Sequence, residues 1–197
     1  MPDPVVLGFD TSAAHCAAAL LRGDAILAHR HEEMGKGQAE RLFPLLEDLL
    51  SEAGLTWRDL HVIGVGIGPG NFTGIRIAVA AARGLALSLG IPAVGVTATE
   101  AAALGLPRPC RVVLPLRADQ VVWQDFGAEG EGRRPQQAAA GSLPPGPAPA
   151  APAVPPALAV ARIALSRRAD PGPRPAPLYL RPADAAPARE APPLILP

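Results

Sequence analysis

The chain has 197 residues, 49% of them apolar but only 4% aromatic, enough for one domain or two small ones with a core of Leu, Val, Ile and Ala. Its 18 basic and 18 acidic residues cancel, which argues against a protein that holds nucleic acid by itself; any RNA contact is expected to be shared with another subunit. Two cysteines, Cys16 and Cys110, stand in no CxxC or Cys/His spacing and suggest a reduced cytosolic protein.

Val5–Asp10 (VVLGFD) is a short apolar run ending in a polar turn and predicts a strand. Ala13–Gly23 reads as its antiparallel return and Asp24–Glu33 as a third strand. In Gln38–Gly54, Ala39, Leu42, Leu45, Leu46, Leu49, Leu50 and Ala53 recur at three- and four-residue spacing, which predicts a helix capped by Gly54. Pro44 removes one backbone bond, so that helix is either kinked there or begins close before it. HVIGVGIG, from His61, predicts a buried strand. A second helix is expected from near Asn71 or Thr73 to Gly90, and Ala93–Val96 is a further short strand. Thr97 and Glu100 form a capping-box pattern for another helix.

Composition then changes. Five of the 25 prolines lie in residues 1–104 and 20 in residues 105–197. The boundaries expected are 1–104, 105–177 as a reduced second lobe with a proline-rich segment, and 178–197 as a tail. Cys110–Phe126 predicts a hairpin turning near Ala118–Asp119, Ala157–Ala169 a helix, and APLYLRP an extended piece. Ser142–Pro156 (SLPPGPAPAAPAVPP) reads as a polyproline-type or unstructured connection. The start, MPDPVVLGFD, lacks the basic region of a signal peptide. Arg76, Arg83, Pro92 and Glu100 interrupt the Ile75–Leu106 region, leaving no run of about 20 apolar residues to span a bilayer. A soluble, cytoplasmic chain without a membrane partner is expected.

The loop GIGPGNFTGIR, from Gly66 to Arg76, lies between a strand and a helix, where backbone N–H groups favour an anion. It has no lysine, no GxxxxGK[ST] and no GxGxxG spacing. It is therefore either a tight turn capped by Asn71 or Thr73, or an anion-facing loop. In the second case the candidates are Gly68, Gly70, Asn71 and Thr73, with Asp10, Thr11 and Ser12 of GFDTS. HEEMG is not HExxH, and His15 and His61 have no evident partner, so no metal site is expected. No GxSxG elbow and no Cys/His pair occurs, and no catalytic residue is assigned. In the second helix Ala80, Gly84 and Ser88 form a small-residue row, with Ala78, Ala82 and Ala86 beside it. That helix is apolar or small almost all round, which predicts burial on more than one side, by its own sheet or by a partner.

LGFDTS, GQAERLFPLLEDLL, VGIGPGNFTGIRIAVAAARGLAL and PLYLRPADA, in this order and spacing, resemble the bacterial TsaB (YeaZ) family. GPGNFTGIR is similar to that family's GPGSFTGLR, with Asn71 in place of Ser. The resemblance implies an α/β fold of the actin/sugar-kinase (ASKHA) type, two lobes with a cleft between them. It implies a non-catalytic scaffold subunit that binds TsaD and works with the ATPase TsaE. The complex transfers threonylcarbamoyl, from an ATP-derived threonylcarbamoyl-adenylate, to N6 of the adenosine beside the tRNA anticodon. No cofactor is implied for this chain alone, and tRNA is met only within the complex. Both N-terminal helices would pack against TsaD or a second copy, making Leu42, Leu45, Leu46, Leu49, Arg76, Ala80, Arg83, Gly84, Leu87 and Ser88 the interface candidates. The family's DAR-R-GEVY region departs here: Arg117 remains, but Pro115 and Asp119 stand for its Asp and Gly. Function is thus expected in the first lobe, so that a chain ending near Leu104–Arg108 keeps partner binding. The alternative is a stand-alone actin-fold ATP-dependent kinase or acyltransferase, for which Asp10 is the one evident base.

Overall fold

The computed structural model describes residues 3–128 and 134–180. Its first sheet holds β1 (Val5–Asp10), β2 (His15–Arg22), β3 (Ala25–Glu33), β4 (Val62–Gly66) and β5 (Ala93–Val96), in the order β3-β2-β1-β4-β5. The β1–β2 and β2–β3 pairs are antiparallel; β1–β4 and β4–β5 are parallel. Parallel strands need cover on both faces, and the sequence of β1 supplies it. Val5, Leu7 and Phe9 face one core and Val6 the other.

On the first face lie α1 (Gln38–Glu52) and α2 (Phe72–Leu89). The leucine period of α1 points inward, and its end is fixed by Gly54 at φ 63°, with Leu55 N–H donating to Leu50 O and Gly54 N–H to Ser51 O. Pro44 neither starts nor ends this helix, which begins at Gln38 and runs through it with one ladder bond missing. α2 starts where Asn71 Oδ1 accepts from Gly74 N–H at 3.1 Å and stops at Gly90, φ 67°. The Thr97/Glu100 capping box is formed and launches α3 (Ala98–Ala103).

The second sheet is smaller: β6 (Cys110–Pro115), β7 (Gln120–Phe126) and β8 (Gln136–Ala139), all antiparallel. The hairpin turns where predicted, with Ala118 and Asp119 both at φ 55°. β8, QQAA, has no apolar alternation and was not expected. Residues 142–155 form no helix or long strand, but they are held in place rather than free. Buried Arg111 donates from Nε and Nη2 to Asp125 at 2.6 and 2.7 Å and from Nη1 to Pro144 O at 2.6 Å. Ala150 N–H donates back to Arg111 O at 2.9 Å.

This strap delivers α4 (Pro156–Ser166) to the second face of the first sheet, where Ala157, Val160, Ala161 and Ala164 pack on Val6, Leu21, Val62 and Val94. Contact is close because Gly8 and Gly64 offer no side chain to Ala161 and Ala164. The first sheet therefore takes cover from beyond residue 104, and a chain cut at 104–108 would bare that face. The whole is an α/β fold of the actin/sugar-kinase type with a three-stranded second sheet. The expected tail lies outside the described residues from 181 onward.

Candidate partner interface

α2 divides along its length. Gly74, Ile75, Ala78, Val79 and Ala82 are buried on the sheet. Arg76, Ala80, Arg83, Gly84, Leu87 and Ser88 are exposed on the opposite side, so the small-residue row does not pack on the chain's own sheet. Leu87 is 81% exposed, and an added Cβ at Gly84 would meet nothing within 4 Å. By length and composition α2 is apolar enough to cross a bilayer, with a mean hydropathy of 1.4, a finding that the broken apolar pattern did not foresee. Only 28% of it is buried. A helix this apolar and this uncovered has a second side still to be packed.

The face extends at both ends. At the N-terminus the Phe72 ring stacks on Tyr179 with centroids 5.0 Å apart, and the Arg76 guanidinium lies 5.0 Å from the Phe72 centroid. Leu178 N–H, donating to Ile67 O at 2.8 Å, brings Tyr179 there. On α1, half-exposed Phe43 leans on Trp57, centroids 6.4 Å apart. Neither aromatic pair is legible locally, since each joins residues from separate elements.

Leu42, Leu45, Leu46 and Leu49 are a correction. All four are buried in this chain's own core, between α1 and the sheet. The residues α1 offers outward include Ala39, Phe43, Pro44 and Glu47.

The glycine loop also resolves. Thr11 is fully buried and its Oγ1 donates to Gly74 O at 2.6 Å; Gly68 is buried, its carbonyl accepting from Ala98 N–H at 2.8 Å. Neither is among the residues that line the cleft beside the loop. Asn71 N–H donates to Ser12 O at 2.6 Å. A Cβ on Gly70 would collide with Ser12 O, and one on Gly74 with Thr11 O. The loop is thus joined to the DTS turn by its own backbone. Asp10, Ser12, Gly70, Asn71 and Thr73 do line the cleft beside it. Two histidines thought unpartnered have partners: His15 Nε2 is 2.7 Å from Asp10 Oδ2, and His61 Nδ1 accepts from Val5 N–H at 3.1 Å. The His31 ring packs 4.8 Å from that of His15. Among the described residues no three His, Cys, Asp or Glu side chains gather as a metal set.

A family model described as TsaD: tRNA N6-adenosine threonylcarbamoyltransferase matches residues 30–133, more than half of the chain. An uncharacterized protein of Mycobacterium tuberculosis (strain ATCC 25618 / H37Rv) is 32% identical over 92% of this chain and 94% of its own length. The tRNA threonylcarbamoyladenosine biosynthesis protein TsaB of Escherichia coli (strain K12) is 31% identical over 64% of this chain. YeaZ from Pseudomonas aeruginosa superposes with a TM-score of 0.74 at 25% identity, covering 90% of this chain and 100% of that one. The chain belongs to the TsaB (YeaZ) family. It spans 57% of the length of the E. coli TsaB.

Proposed function

We infer that this chain is a non-catalytic scaffold subunit in tRNA threonylcarbamoyladenosine biosynthesis, the process named for its E. coli relative. It acts by binding TsaD through the outer face of α2 and the outward residues of α1. The observation that carries this reading is α2 itself: an eighteen-residue helix, apolar or small apart from Arg76 and Arg83, of which 28% is buried, with Leu87 standing 81% clear of the chain. Small side chains at Ala80, Gly84 and Ser88 let a partner helix approach to backbone contact, where dispersion is strongest. The same face would serve a second copy of the chain, so homodimer and heterodimer compete for it. TsaE, the threonylcarbamoyl-adenylate and tRNA are met through the assembled complex in the cytoplasm, not by this chain alone. Its neutral charge agrees with that division of labour.

The test is Gly84→Arg, titrated against purified TsaD from the same cell. An arginine there has open space around its Cβ and is a better helix former than glycine, so the melting temperature should rise by about 1–4 °C while affinity falls about a hundredfold. Wild-type affinity in the variant, or no TsaD binding by the wild type, would overturn the reading.

A further inference from the structure

Between the two sheets lies a cleft of about 1100 Å³, which touches α2 only at its first turn, Phe72 and Thr73. Asp10, Ser12 and His15 line it from the first lobe; Arg117, Gln120 and Gln137 line it from the second. Val96, Leu114 and Val154 contribute to a mainly apolar remainder. Ligand sites have this make-up, apolar walls with a few convergent polar groups.

Most of those polar groups are already engaged. Asp10 Oδ1 accepts from Ser12 N–H at 3.2 Å, and Oδ2 accepts from Ser12 Oγ at 3.0 Å while lying 2.7 Å from His15 Nε2. Gln137 Nε2 donates to Gln120 Oε1 at 3.3 Å. Polar capacity is left over on both sides of the cleft. With Nε2–H donating to the Asp10 carboxylate, the Nδ1 of the neutral His15 ring is an acceptor, and it has no partner among the described residues. Across the cleft, the Arg117 guanidinium pairs with no carboxylate among the described residues.

We propose that this cleft binds a small bipolar molecule, with a single anionic group on Arg117, an N–H or O–H donor on His15 Nδ1, and an apolar body between them. Asp10 holds the ring of His15 in place through Nε2, and in the neutral ring this leaves Nδ1 as the acceptor. One cation facing one acceptor suits a carboxylate or a phosphate monoester. A triphosphate would bring several negative charges to a single arginine, with Asp10 opposite.

The test compares two matched pairs of probes by amide NMR titration of the full chain. AMP is set against the same nucleotide lacking the amino group, and 4-aminohippurate against hippurate. Within either pair the amino-bearing probe should bind several-fold more tightly and shift amides on both walls. Arg117→Ala, at an exposed position, should weaken that probe about tenfold or more. His15→Phe should abolish the preference for the amino group, and Arg117→Ala keeps the test decisive if His15→Phe melts early. The pair that saturates tells phosphate from carboxylate. No saturable shift with any probe at about 10 mM, shifts confined to α2, or full affinity in Arg117→Ala would overturn the proposal.

Discussion

Gly8→Ala tests whether the C-terminal helix belongs to the first sheet. An added Cβ at Gly8 would lie 2.6 Å from both Cβ and N of Ala161 and 2.7 Å from its Cα. Ordinary contact begins near 3.4 Å, so α4 must retreat by about 1 Å along its sheet contact. Overpacking of that kind costs about 3 kcal/mol. Alanine returns about 0.5–1 kcal/mol, because glycine loses more backbone freedom in a strand. The net is a loss of about 2 kcal/mol, or about 4–8 °C in melting temperature for a chain of this size. Thermal unfolding followed by far-UV circular dichroism reads it directly. Pairing the change with Ala161→Gly should recover only part of the loss, since the N and Cα of residue 161 still stand in the way. A variant melting within about 1 °C of wild type, or two substitutions whose effects simply add, would refute the packing of α4 on β1.

Leu45→Ala should cost about 2–5 kcal/mol in urea unfolding because the side chain is fully buried. Leu87→Ala should cost under about 0.5 kcal/mol yet weaken TsaD binding, so the two leucines separate core from interface. Burial, with the nearby Glu32 and Asp10 charges adding and Arg41 opposing, pushes the Cys16 thiol up to about 11. The folded chain then holds this proton more tightly than the unfolded one. Stability from this group is present below the ordinary value of 9.0 and falls as pH rises from there through about 11. A melting temperature that stays level over that window in wild type, once compared with Cys16→Ala, would count against it. Gly74→Ala should lower TsaD affinity more than its stability change accounts for, as the new Cβ drives the start of α2 away from Thr11 O; binding reduced only in step with unfolding would deny this.

Much of the first lobe could be read from residues alone because its signals are local. The leucine period of Leu42–Leu50, the cap at Asn71, the glycines at 54 and 90 and the Thr97/Glu100 box each specify a boundary within a few residues of chain. What they do not specify is the identity of whatever covers an apolar stripe. Periodicity sets the phase of a helix, not its neighbour. So α1 and α2 looked alike as docking helices, yet the leucines of α1 face their own sheet while the small row of α2 faces out. The same limit hid β8, whose QQAA carries no apolar alternation, and the Arg111 anchor, whose three acceptors come from positions 14 and 33 residues away. It also hid the Asp10–His15 pair, because strands that turn back in antiparallel register juxtapose residues whose spacing in sequence carries no chemical signature.

The glycine loop shows how the site and the fold answer to one constraint. A phosphate cradle needs amides turned outward to the ligand. Here Asn71 N–H is spent on Ser12 O and Gly74 N–H on the Asn71 cap, while Thr11 Oγ1 holds Gly74 O from below. Gly70 and Gly74 are glycine because two backbone segments meet there without room for a side chain. That contact ties the first turn of α2 to the end of β1, a strand buried at every position. If α2 docks as proposed along about 25 Å of its length, any tilt at its root is magnified into a gap at its far end, where Leu87 stands. Fixing the root to β1 therefore does for docking what a rigid scaffold does for catalysis: it removes orientational freedom before the partner arrives, and binding then costs less entropy.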